Sequence, residues 1–327
     1  MSSYDVVGIG NAIVDVIART DDAFIARHGL AKGAMTLIDA EQAEYLYAQM
    51  NQTLECSGGS VANSIAGIAS LGGRAGYIGR TRNDQLGAIF AHDIRALGVT
   101  FKTPHATDGA PTARCLVMVT PDAQRTMCTY LGACVDLGPE DLDAEMIASS
   151  KILYLEGYLW DPARAKEAFI TAMTMAHAAG AKVALSLSDA FCVDRYRDEF
   201  LDLAENYVDI LFANESEICA LYQTDDFDDA LQQVRAHCEI AALTRSAKGS
   251  VIVSKDEIHI VDAEPAAVVD TTGAGDLYAA GFLYGLTHGY SLKTCGQLGA
   301  VAAAEVISHM GARPQASLLD LIEKKLA

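Results

Sequence analysis

Residues 151–188 read KILYLEGYLWDPARAKEAFITAMTMAHAAGAKVALSLS, an apolar run, a charged amphipathic stretch and a second apolar run. The first and last segments are short and continuously apolar, as strands covered on both faces must be, and the middle segment has helical length and spacing. The same alternation continues: helix DRYRDEFLDLAENY (194–207), strand VDILFAN (208–214), helices ESEICALY (215–222) and DDALQQVRAHCE (228–239), strand IAALTR (240–245). Strands alternating with helices imply right-handed crossovers, a parallel sheet and ligands at the strands' carboxyl ends.

Working outward, AKGSVIVSKDEIHIVDA (247–263) reads as a small antiparallel addition, and VVDTTGAGDLYAAGFLYGL (268–286) as a strand-to-helix turn with a bare backbone. The first amides of a helix lack internal partners and carry partial positive charge, so Gly273, Ala274 and Gly275 form a candidate anion site. Asp276 then stands where a carboxylate would repel a phosphate unless it takes a proton from an attacking hydroxyl. A helix cap is the plainer use of such an aspartate.

On the N-terminal side, YDVVGIGNAIVDVI (4–17) reads as a buried strand that turns and continues as another strand. Its glycines do not form a dinucleotide fingerprint, because Ile13 stands where the third would fall. VANSIAGIASLGG (61–73) carries Val61, Ile65 and Ile68 at helical spacing behind Gly58 and Gly59. AGYIG (75–79) and DQLGAIFAHDIRALG (84–98) add a strand and a helix, and PTARCLVMVTPDAQRTMCTYLGA (111–133) alternates as a hairpin does. The hairpin and the early strands break the βαβ rhythm, so a small sheet set apart from the main body is expected, with a mobile lid as its use.

The chain has 327 residues, 51% of them hydrophobic, enough for a sizeable core. Its net charge of −19, from 24 basic and 43 acidic residues, disfavours nucleic acid or anionic membrane as partner. Eight scattered cysteines without a C-x-x-C pair read as buried small side chains in a reducing cytoplasm rather than as a zinc or disulfide framework.

DTTGAGD (270–276) and SGGSVANSIAGIASLGGRAGYIGRTRNDQLG (57–87) resemble the C-terminal and N-terminal signatures of the PfkB, or ribokinase-like, family of sugar and nucleoside kinases. The resemblance runs along nearly the whole chain. It implies a three-layer α/β/α fold with a mostly parallel central sheet and a small β-sheet lid. Residues 1–12, 39–101 and 131–327 would form the large domain, and 13–38 with 102–130 the discontinuous lid.

The resemblance also assigns roles. Asp276 would be the general base, with the backbone of Gly273, Ala274 and Gly275 around the transferred phosphoryl group. Asn214 and Glu217 match an Asn-x-x-Glu element that holds Mg²⁺ through water. Asp15, Asn63 and nearby Asn11 would bind acceptor hydroxyls, and Gly58 and Gly59 would be the lid hinge. TRSAKGS (244–250) resembles a T-R-G-x-x-G nucleotide loop, placing Thr244 and Gly249 near ATP, although Ser246 replaces its first glycine. Asp270 and Thr272 match a monovalent-cation position, where K⁺ is the candidate. Arg125 matches a lid arginine that reaches phosphate.

GIGNAIVDVIAR (8–19) and DILFANESEICAL (209–221) look like the adenosine kinase branch. Tyr158 and Trp160 could stack a flat base or fill the core. The expected reaction is ATP-dependent phosphorylation of a nucleoside 5′-hydroxyl, adenosine first, with a sugar kinase or a non-catalytic sensor as alternatives. Monomer and homodimer both stay open.

Overall fold

The computed structural model describes residues 3–122 and 124–326. Ala123 in the hairpin turn, and the expected domain bounds at Met1 and Ala327, lie outside the described residues.

The main sheet has nine strands. In spatial order they are β14 (Ile258–Val261), β13 (Ser250–Ser254), β12 (Ile240–Thr244), β11 (Ile210–Asn214), β10 (Lys182–Ser186), β9 (Ser150–Glu156), β1 (Tyr4–Ile9), β5 (Ala75–Ile78) and β6 (Thr100–Phe101). From β12 to β6 every pairing is parallel, and β13 and β14 add the antiparallel edge. The second sheet has the order β3 (Met35–Leu37), β8 (Arg125–Tyr130), β7 (Ala113–Val119), β2 (Ile13–Arg19), β4 (Thr53–Gly58).

Alternation along the buried strands sends side chains to opposite faces. Val6, Tyr154 and Ile210 pack on α3 (Ser60–Ser70), α4 (Gln85–Ala96), α10 (Ala274–Thr287), α11 (Leu292–Val306) and α12 (Leu318–Leu326). Val7, Leu153 and Leu211 pack on α5 (Ala144–Ala148), α6 (Ala163–Ala178), α7 (Ala190–Asn206), α8 (Glu215–Tyr222) and α9 (Phe227–His237). The result is the three-layer α/β/α arrangement. In the small sheet, Val16, Leu116 and Cys128 pack on α1 (Asp22–Arg27) and α2 (Ala40–Gln49).

Three details differ from the sequence expectations. β4 pairs antiparallel with β2, so residues 53–58 belong to the small sheet and not to the main body; its mixed-polarity sequence TLECSG hides the pairing. Val268 and Val269 are not a strand and are 63% and 43% exposed, because the chain there only crosses over to donate from Val269 to the Ile307 carbonyl. Strand β9 stops at Glu156, and Tyr158 lies in a short 3₁₀ turn, Gly157–Leu159.

The chain leaves β1 for β5 on one side and, later, for β9 on the other. The crevice at the carboxyl ends of β1 and β9 is therefore where such a sheet leaves room for a ligand. Asn11 and Glu156 stand there.

Candidate active site

One cavity of about 1120 Å³ runs between the sheets. Its walls include Asn11, Asp15 and Asn63 at one end and Asn214, Thr244 and Gly249 at the other, with Gly273–Asp276 between.

The central turn follows from glycine geometry. Gly273 caps α10 with φ +78°, and a Cβ there would press on Ala312 at 2.9 Å, so a side chain is excluded on both counts. Gly275 is different, because a Cβ on it would meet nothing within 4 Å and would stand in the cavity. One of the three expected amides is already engaged, since Ala274 donates to the Thr271 carbonyl at 3.2 Å.

Asp276 opens the helix behind this turn. Its Oδ1 accepts from Ser60 Oγ at 2.6 Å and its Oδ2 from Asn63 Nδ2 at 2.9 Å. Burial raises its pKa, against the lowering effect of these two donors and of Arg313. The carboxylate is thus held in place, moved toward neutrality, and left with further lone pairs on each oxygen.

Asp15 lines the same end, its pKa pushed up to about 6 by burial while Arg313 and Arg125 oppose the shift. Gly58 passes directly over it, with room for no Cβ: one built there would lie 2.5 Å from Asp15 Oδ2. Gly59, at φ +97°, would drive a Cβ into the Asn11 carbonyl. These two glycines join β4 to α3, at the border between the sheets.

Glu156, which the sequence reading passed over, organises the end of the cavity at Asn11. Its Oε1 accepts from Asn11 N at 2.9 Å and Nδ2 at 2.7 Å, and its Oε2 accepts from Val61 N at 2.8 Å. Burial lifts its pKa to about 7 against these donors. Asn11 therefore spends its amide nitrogen on Glu156 and keeps a buried, unpartnered Oδ1. The signal was an acid inside an apolar strand, YLEGYL, the same anomaly that drew attention to Asp15. Arg313 was also missed; a lone arginine in a polar C-terminal loop carries no pattern.

At the other end, Asn214 and Glu217 form a reciprocal cap on α8. Asn214 Oδ1 accepts from Glu217 N at 2.9 Å, and Glu217 accepts from Asn214 N at 2.9 Å and Nδ2 at 2.6 Å. Burial pushes Glu217 up to about 7, assisted by Asp189. Ser246 adopts φ +51°, the left-handed conformation suited to the glycine expected there, and Gly249 adopts φ +84° with its Cβ position filled by the Val261 carbonyl.

Asp270 and Thr272 do not stand open for a monovalent cation. Arg125, the first residue of β8, pairs with Asp270 and donates to Thr272 Oγ at 3.1 Å. Asp270 also accepts from Thr272 N and from Gly311 N. Trp160 is 4% exposed, packed at a tilt against Phe169 and Phe200 and bonded to Glu199, so it is core; Tyr158 does face the cavity.

The switch point of the sheet, a bare glycine turn at a helix start and a braced aspartate come together in this cavity. The chain belongs to the pfkB family of carbohydrate kinases, whose model matches residues 27–318. It is 54% identical to an adenosine kinase from Sinorhizobium meliloti, with TM-score 0.93 over 99% of this chain and 100% of that one. It is 53% identical to a probable sugar kinase from Rhizobium etli CFN 42, with TM-score 0.94 and 99% of each chain covered. A curated relative, 5-dehydro-2-deoxygluconokinase of Geobacillus thermodenitrificans, is 30% identical over 281 residues, 82% of this chain and 83% of the relative. The chain is a kinase of the ribokinase-like α/β fold. Among the described residues, no helix is long and apolar enough to cross a membrane.

Proposed function

We propose that the protein transfers the γ-phosphoryl group of ATP to the 5′-hydroxyl of a nucleoside, adenosine first among them. The observation that carries the reaction is Asp276, a carboxylate of raised pKa at the floor of a cavity and one residue beyond the open Gly275 turn. The acceptor hydroxyl gives its proton to Asp276, its oxygen forms the bond to γ-phosphorus, and the bond to the β–γ bridging oxygen breaks to release ADP. The amides of Gly273 and Gly275 at the start of α10 would face the charge that spreads over the phosphoryl oxygens. Pure binding would need no such base, which speaks against a sensor.

The nucleoside reading rests on the cavity wall. Ile13, Val117 and Met127 of the small sheet, with Tyr158 and Phe191 opposite, offer an apolar, partly aromatic surface beside Asp15 and Asn63. A purine base fits that surface, and vicinal ribose hydroxyls fit the two polar side chains. The adenosine kinase neighbour supports it. The sugar-kinase relatives favour a second reading, in which a free sugar or sugar acid takes the polar end alone.

Glu217 and Asn214 fit a role in holding Mg²⁺ through water, since a buried carboxylate of raised pKa gains from a nearby cation. When bound, Mg²⁺ neutralises charge on the nucleotide phosphates. K⁺ at Asp270 and Thr272 requires Arg125 to withdraw, and comparing turnover in potassium and tetramethylammonium salts tests that need.

The experiment is ADP release with Mg-ATP across adenosine, inosine, guanosine, cytidine, ribose and fructose, with Asp276→Asn alongside. Adenosine-dependent turnover lost in the variant supports the whole reading. Turnover on a free sugar alone overturns the substrate, and turnover that survives in the variant overturns the base.

A further inference from the structure

Three consecutive residues of the C-terminal loop brace the site from behind. Gly311 N donates to Asp270 Oδ2 at 3.0 Å, Ala312 packs under Gly273, and Arg313 Nε donates to Asn63 Oδ1 at 2.8 Å. Arg313 is the odd member of this run. Its Nη1 and Nη2 are buried and have no hydrogen-bond partner, a costly arrangement for a guanidinium. Among the described residues Arg313 is the cation whose charge acts on Asp276, and Asp15 is the anion that acts on Arg313 most.

We propose that Arg313 is a positioning residue that fixes the orientation of the Asn63 amide and, through it, the charge state and placement of Asp276. The inference rests on the reading of Asp276 as base. An asparagine amide is ambiguous, because oxygen and nitrogen can exchange places. With Arg313 donating to its oxygen, Asn63 must turn its nitrogen to Asp276. Without Arg313 only Asp276 orients the amide, and once Asp276 is protonated the amide can turn its oxygen to accept from the acid, which favours the neutral form. The same guanidinium offsets the two carboxylates Asp15 and Asp276, which otherwise each raise the other's proton affinity.

The other titratable groups around Asp276 pull the opposite way. Asp15 on β2 and Glu156 on β9 disfavour its charge when ionised, while Tyr154 on β9 and Tyr158 in the turn that follows are kept neutral by burial. Arg125 on β8 acts on Asp15 rather than on Asp276 directly. Removing Arg313 therefore leaves Asp276 among anions.

The test is a titration of aspartate carboxyl ¹³C shifts in the wild type, Arg313→Met and Arg313→Lys, with Asp276→Asn for assignment. Arg313→Met is expected to raise the Asp276 midpoint by about one pH unit or more, and Arg313→Lys to recover part of it. In kinetics, kcat/KM for the acceptor at pH 7 falls roughly 10- to 100-fold and its acid limb moves up with the carboxyl midpoint. KM for ATP stays within about twofold. An unmoved Asp276 midpoint in Arg313→Met, with melting temperature kept, overturns the proposal. The titration needs no turnover: a wild type inactive on every acceptor would defeat the reading of Asp276 as base and leave the charge coupling measurable.

Discussion

Asn63 Nδ2 donates to Asp276 Oδ2 at 2.9 Å, so the first turn of α3 and the first turn of α10 are tied side chain to side chain across 213 positions of sequence. The two helices pack closely below this bond: a Cβ on Gly67 would lie 2.6 Å from Leu277 Cδ1. Asp276 and Asn63 thus sit on two helices packed against each other.

Asp276→Asn keeps the size of the side chain and removes its basicity. We expect kcat to fall by about 10²- to 10⁴-fold with KM for ATP little changed. The melting temperature should hold or rise, because a buried carboxylate of raised pKa disfavours folding once ionised. Coupled ADP assay and thermal melting read the two effects separately.

Gly59 and Gly275 should respond oppositely to alanine. At Gly59 the φ of +97° and the Asn11 carbonyl leave no place for a methyl group, so Gly59→Ala is expected to cost about 1–3 kcal/mol of stability by denaturant unfolding. At Gly275 the methyl enters open space. Gly275→Ala should melt with the wild type and still lose about tenfold or more in kcat, since the intrusion falls where the phosphoryl group would sit.

Glu217→Gln probes the cap and the metal reading together. Glu217 has its folded pKa raised to about 7 from 4.5. The folded protein holds that proton at pH values where the unfolded chain has lost it, so the stabilisation is full below about pH 4.5 and fades as pH rises to about 7. Gln cannot titrate. The melting-temperature gap between wild type and variant should therefore narrow from pH 5 to pH 8, while the Mg²⁺ concentration for half-maximal rate rises.

Tyr158 and Trp160 are two residues apart and should differ in kind. Tyr158→Ala is expected to raise the acceptor KM roughly 2- to 10-fold with stability nearly kept. Trp160→Ala should leave KM alone and cost about 3–5 kcal/mol, because it empties a space among Phe169 and Phe200. Calorimetric acceptor binding and denaturant unfolding distinguish them.

The fold was legible where hydrophobic pattern is decisive. The alternation from 150 to 245 gave β9 to β12 with their helices, and TTGAGD gave the turn before α10. What stayed hidden depends on distant partners. β4 is too polar to announce itself and exists because β2 offers an edge. Asp270 and Thr272 carry a cation-site pattern, yet Arg125 from another sheet takes their oxygens. Glu156 and Arg313 acquire meaning only when strand ends and a C-terminal loop converge on Asn11 and Asn63.

The pairing of β2 with β7 bears on how the chain is made. Ile13 lies opposite Ala113, and the register continues to Arg19 opposite Val119. A ribosome adding about 5–20 residues per second therefore supplies β4 to one edge of β2 early but leaves the other edge without β7 for several seconds. Contacts so distant along the chain slow folding. The small sheet is begun almost first and completed late, and until β7 emerges one edge of β2, with Val14, Val16 and Ala18, is an open strand edge of the kind that pairs with other chains.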